Sequence, residues 1–171
     1  MAGLFVHEDD WGMISLVPAE NRANRAAVVE AATAHGLAHQ LPDGLGWTAM
    51  YIAPSPPIEI DSRKITLEAL GAALGGSCRP VAGFVTGYGT ECREDIEGGY
   101  AFQLPEGPAL YGCVVDGVLS ELHLTDPITR SAADSLHHLD RTFDLILCDL
   151  WRDVVVELAD RSAVEAYCAD E

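Results

Sequence analysis

Positive charge is scarce in this chain. Its 171 residues hold one lysine, Lys64, and only ten lysines and arginines in all, against 27 aspartates and glutamates. The formal net charge is −17. Nucleic-acid binding draws most of its affinity from Lys and Arg neutralising phosphates. Anionic membrane surfaces likewise select basic segments. Neither nucleic acid nor membrane is therefore an expected partner. A basic protein surface is attracted instead, with faster encounter at low salt. The plainer reading of the same charge is solubility.

Cysteine is present but unpatterned. There are five, an odd number, and no C-x-x-C, which excludes a disulfide framework or a zinc ribbon. Cys113 and Cys148 lie in apolar strand-like runs, where a free thiol acts as a small hydrophobe, so a reducing compartment is expected. No run approaches the roughly 20 apolar residues of a membrane span. MAGLFVHEDD has no basic region and no signal-like apolar stretch. These features point to the cytoplasm.

Catalytic signatures are missing too. There is no G-x-S-x-G elbow and no G-x-x-x-x-G-K-[ST], and Gly87-Tyr88-Gly89 lacks the third glycine of a dinucleotide fingerprint. Ser77-Cys78 follows a helical stretch instead of opening one, so the thiol gains no activation from a helix N-terminus. Cys92 sits among Glu91, Glu94 and Asp95, whose charge raises a thiol pKa. Paired carboxylates carry no information where acids are so numerous. No catalytic residue, metal or cofactor is assigned.

What the chain does have is enough apolar content, 49%, for one globular domain spanning residues 1–171 without a metal or disulfide to hold it. Leu4–Val6 and Met13–Val17 read as hairpin arms around an Asp9–Gly12 turn. A helix follows from Pro18, stops at Gly36, and turns Asn21, Arg22, Asn24 and Arg25 to solvent. Gly46–Pro54 reads as a strand. Residues 54–64 read as an extended loop whose P-x-x-P is a rigid surface feature before it is a ligand. Thr66 caps a helix over Leu67–Leu74, ended by Gly75. Val81–Gly87 is a strand, and the acidic, glycine-rich 87–99 segment an exposed loop.

The sharpest local signal is Asp116-Gly117, a two-residue turn between alternating arms. Its register pairs Val115 with Val118, Cys113 with Ser120, and Tyr111 with Leu122. These six share the core face, while Glu121 and His123 point away. Asp126-Pro127 opens a helix with Ile128, Ala132, Ala133, Leu136 and Leu139 as its apolar stripe. FDLILCDL is a buried strand with VVVEL antiparallel beside it. The last helix starts near Ser162, with Ser162 and Glu165 as a capping box. Hairpins outnumber crossovers, so the expected fold is α+β: a largely antiparallel sheet with about four helices packed on it.

One stretch concentrates chemistry: VHEDDWGM, residues 6–13. Chain reversal accounts for most of it. Beyond that, Glu8, Asp9, Asp10 and Trp11 form a candidate binding edge, an aromatic anchor flanked by carboxylates that suits a basic partner. A divalent-ion or hydrolase site would need His7 and Asp9 to converge with Glu121 and His123, since metals take three or four ligands. His137-His138 beside Asp140 is a solvated helix face, because adjacent helical residues point about 100° apart. The reading with most support is a non-enzymatic, inhibitor-like acidic protein that docks on a basic protein. A His/carboxylate hydrolase and a structural or oligomer-forming module are the alternatives.

Overall fold

A computed structural model describes residues 3–75, 78–81, 83–89, 93–105 and 107–169. Among these residues the fold is α+β, with four helices, a large antiparallel sheet and a small one. The strands in chain order are β1 (Leu4–His7), β2 (Ile14–Pro18), β3 (Arg79–Val81), β4 (Phe84–Gly87), β5 (Arg93–Asp95), β6 (Gly99–Gln103), β7 (Ala109–Val115), β8 (Val118–Leu119), β9 (His123–Leu124), β10 (Leu145–Asp149) and β11 (Val154–Glu157). The helices are α1 (Arg22–His39), α2 (Leu67–Leu74), α3 (Ala133–Phe143) and α4 (Arg161–Tyr167). The large sheet runs β11-β10-β2-β9-β7-β6-β3, with β8 paired to β7. The small sheet runs β1-β4-β5, with β1 and β4 parallel.

Where local chemistry suffices, structure and sequence agree. Thr66 Oγ1 accepts from the Ala69 amide at 3.1 Å and Gly75 closes α2 at φ +73°. Asp116 and Gly117 both take positive φ, as a type I′ turn demands. β10 is buried along its whole length and β11 lies antiparallel beside it. Period-two alternation explains that burial. Leu145 and Leu147 enter the main core with Leu136 and Leu139 of α3. Ile146 and Cys148 take the opposite face, on which α1 packs through Val28 and Val29. The α3 stripe residues are buried, as the spacing predicts.

Where partners are distant in sequence, the structure differs. Leu4–Val6 and Met13–Val17 are not hairpin arms: β1 pairs with β4 in one sheet and β2 with β9 and β10 in the other. Val81–Gly87 is broken at Gly83, φ +72°, into β3 and β4 in different sheets. The 87–99 loop contains β5, which pairs with β4. Gly46–Pro54 is not a strand; its one ladder contact is a bridge from Trp47 to Gln40.

The helix ends also differ. Gly36 keeps helical geometry and α1 continues to His39, whose carbonyl accepts from the Thr48 amide at 2.7 Å. A helix stop needs a left-handed residue beyond the last turn, and Gly36 has no positive φ. Asn21 and Arg25 are buried, not solvent-facing. Asn21 bonds both backbone groups of Ile58, and Arg25 donates to the Pro54 carbonyl, so both clamp the P-x-x-P segment onto α1. Asp126 caps nothing; α3 begins at Ala133 and Asp126 lies 3.7 Å from Arg152. Asp160, not Ser162, caps α4 by accepting from the Ser162 and Ala163 amides, and Glu165 pairs with Arg161 instead.

The hairpin turn carries the most consequential difference. Ser120 still donates to the Cys113 carbonyl, but Tyr111 stands opposite His123 rather than Leu122. Glu121 and Leu122 therefore share one partner, Gly112, which is a β-bulge. A Cβ on Gly112 would lie 2.2 Å from the Glu121 carbonyl oxygen, so glycine is required there. The bulge sends Leu122 into the main core beside Leu119 and Leu124. Leu110 and Val114, not Tyr111, Cys113 and Val115, face that core. Tyr111 points to the other side, into a second apolar cluster with Val6, Phe84 and Ala101 beneath the small sheet.

Candidate functional site

The acidic turn sits where the two sheets meet. β1 ends at His7, Glu8–Asp10 form a single 3-10 turn, and β2 begins at Ile14 in the other sheet. The turn forms because three short polar residues follow a capping acceptor. His7 Nδ1 accepts from the Asp9 amide at 3.2 Å, and the Trp11 amide donates to the Glu8 carbonyl. With Nδ1 accepting, the His7 proton resides on Nε2. Glu8, Asp9 and Asp10 are all exposed. Among the described residues, no lysine or arginine pairs with any of them.

Elsewhere, among the described residues, four of the ten bases pair with acids. Arg22 pairs with Glu157, Arg63 with Glu20 and Asp144, Arg152 with Asp126 and Asp149, and Arg161 with Asp134 and Glu165. The turn thus carries carboxylates with no Lys or Arg ion pair among the described residues, in a molecule whose bases are few.

Trp11 does not project as an anchor. It is half-buried, packed on Phe84 and Tyr111 at 5.2 and 5.9 Å between ring centres. Its indole N–H donates to Glu121 Oε2 at 3.1 Å. The Tyr111 hydroxyl accepts from the Gly12 amide at 3.2 Å. Trp11 and Tyr111 therefore brace the turn against the second core. Burial pushes the Tyr111 hydroxyl up to about 12, so it stays protonated at neutral pH. The exposed aromatics at this edge are others. Tyr88 packs its ring edge-on to His7 at 5.3 Å, and the neighbouring Glu8 carboxylate raises its pKa. Trp151 is 53% exposed.

Trp151 and Asp10 line a cleft of about 540 Å³ between the sheets, with Phe5, Ile14, Leu124 and Asp126 also in its wall. Its floor is apolar and its rim holds two carboxylates and an indole. Long basic side chains suit such a shape, because their stems are apolar and their heads charged. Asp126 and Trp151 were invisible as site residues in the sequence: they lie over 100 positions from Asp10, and no local pattern links them.

His123 and Glu121 are not brought to His7 in any shared contact among the described residues. His123 Nε2 donates to Glu121 Oε2 at 3.1 Å, and Ser15 Oγ lies 3.2 Å from His123 Nδ1. The His123 bond holds the Glu121 carboxyl below its ordinary value, against the opposing effect of burial, so Glu121 is ionised and can only accept. Serine, histidine and carboxylate in a hydrogen-bonded row invite comparison with a nucleophile relay. Two features argue for a brace. The Ser15 hydroxyl is 2.7 Å from the Gly12 carbonyl, and neither Ser15 nor His123 lines the cleft.

No group of three or more His, Cys, Asp or Glu side chains among the described residues could hold a metal ion. His137 Nδ1 donates to the Leu158 carbonyl at 2.9 Å while His138 is exposed, so the two address different surroundings. Burial pushes the Cys113 and Cys148 thiols up to about 11, which suppresses the thiolate. Ser77 and Cys92 lie outside the described residues.

No family model, curated protein or solved structure matches the chain. Any assignment therefore rests on the site itself. No helix among the described residues is long and apolar enough to cross a membrane.

Proposed function

We propose that this chain is an acidic binding protein that docks on a basic protein through the Glu8–Asp10 turn and the adjoining cleft. The observation that carries this reading is the trio of exposed carboxylates that, among the described residues, pair with no Lys or Arg, on a turn braced by Trp11 and Tyr111, with Asp10 in the wall of the adjoining cleft. Like charges clustered without counter-charge cost stability in the free protein. A basic partner relieves that cost and gains electrostatic steering. A lysine or arginine from the partner would enter this cleft with its head at Asp10, and Asp126, which Arg152 approaches at 3.7 Å, would be the second carboxylate beside it. Trp151 would then offer its face to the cation. Masking a basic enzyme's active surface is one task such a protein could perform, in the manner of an inhibitor.

The test is capture from a lysate of the source cells on immobilised chain, wild type against the triple variant Glu8→Gln, Asp9→Asn, Asp10→Asn. The expected result is a basic protein retained by wild type, released by salt and not retained by the variant. Identical retention by both, or capture that ignores salt, would remove the reading.

A further inference from the structure

A second surface differs in kind from the acidic edge. Beyond α1 the chain doubles back along the helix. The Leu41 amide donates to the Gly46 carbonyl at 2.8 Å, Trp47 bridges Gln40, and His35 Nε2 lies 3.3 Å from the Ala49 carbonyl. The His35 ring meets Tyr51 at 5.7 Å. This return segment and the last turns of α1 expose large apolar side chains: Leu37 at 75%, Leu45 at 88%, Trp47 at 61%, Met50 at 80% and Ile52 at 87%. Leu41 contributes a smaller part. The helix continues the apolar character, since Ala27, Ala31, Ala34 and Ala38 are exposed as well.

Scattered exposed leucines need no explanation, but a contiguous patch does. These side chains offer on the order of 800 Å², close to the ~800 Å² that each partner contributes to a standard interface.

Charge selects the occupant. Residues 26–52 hold two formal charges, Glu30 and Asp43, so this face carries −2 of the molecule's −17. A basic partner finds almost nothing here to attract it. An anionic lipid surface finds no Lys or Arg to hold, which peripheral membrane helices need. A second copy of this chain, by contrast, is repelled over most of its surface and meets the least repulsion at this near-neutral face. A face that is apolar, without Lys or Arg and with only two carboxylates, can also meet its own copy, as a two-fold interface requires. We infer that two copies of this chain associate through the outer side of α1 and the 40–52 return segment, independently of the acidic turn.

The prediction has a sign that separates it from the docking of a basic partner. Screening weakens attraction between opposite charges but also weakens repulsion between like-charged copies. Self-association through a neutral apolar face should therefore tighten as salt rises.

Sedimentation equilibrium of the full chain tests this, from about 1 μM to about 1 mM protein, at about 0.15 M and about 1 M NaCl. The expected result is a reversible dimer, tighter at the higher salt. Trp47→Glu and Leu45→Glu should each weaken it by about tenfold or more, since each places a charge in an apolar interface. Val115→Glu, at an exposed apolar residue elsewhere, should leave it unchanged. Circular dichroism melts confirm that each variant folds. A monomer across the whole range overturns the inference, as does a dimer untouched by both patch substitutions or lost equally with Val115→Glu. A monomer that floats with zwitterionic lipid vesicles would overturn it in favour of a membrane surface.

Discussion

The acidic turn and the apolar return segment are both surface features, yet they are built in opposite ways. The turn is polar outside and anchored inside. Trp11, Tyr111 and Glu121 tie it to the β-bulge and the second core. The return segment is apolar outside, and backbone and histidine bonds to the C-terminal turns of α1 hold it. The contrast teaches that exposure alone does not mark function. A charged edge with a rigid brace is preorganised for a partner of opposite sign, which lowers the ordering cost of binding. A neutral apolar flap gains from any partner that excludes water, and charge decides which partner can approach.

The difference can be broken at the brace. Gly112→Ala should have the largest effect, because the new Cβ meets the Glu121 carbonyl oxygen at 2.2 Å and the Tyr100 hydroxyl at 3.0 Å. The bulge must shift, at a cost of about 3 kcal/mol or more by urea denaturation. A loss under about 1 kcal/mol would mean that the bulge is not rigid. Trp11→Ala should cost about 2–3 kcal/mol, below the ~3–5 of a fully buried aromatic. It should also reduce capture of the basic partner although all three carboxylates remain.

Smaller effects sharpen the comparison. The folded pKa of Glu121 is lowered from its ordinary 4.5. Its stabilisation is thus complete above the unfolded value and fades as pH falls through the folded one. The melting-temperature gap between wild type and Glu121→Gln should be steady near neutrality and shrink below about pH 4.5. A gap that is constant down to pH 3 would contradict the ionised bond to His123 and Trp11. At the other surface, Ile52→Ser should change monomer stability by no more than about 0.5 kcal/mol at dilute concentration. A larger loss would show that the flap contributes to the core.

The legibility of these regions in the sequence followed the distance over which each is determined. The Asp116-Gly117 turn, the Thr66 cap and the β10–β11 pair were readable because their chemistry is local. The pairing of β1 with β4 was not, since its partners stand some 80 positions apart and a four-residue apolar run fits any neighbour. The bulge escaped because alternation at Glu121-Leu122 looks continuous on paper; Gly112 opposite was the available signal, and it is visible only once the register is known. Glu8, Asp9 and Asp10 were identifiable as an exposed cluster from the sequence. The bond that ties Trp11 to Glu121 was not legible, because the two stand 110 residues apart.

The salt dependence of partner binding tests the central claim most directly. With the captured basic protein in hand, its Kd is measured by calorimetry against NaCl concentration for wild type and for the Glu8→Gln, Asp9→Asn, Asp10→Asn variant. The account predicts steep weakening with salt for wild type and a weaker, flatter response for the variant. Two coincident curves would contradict it.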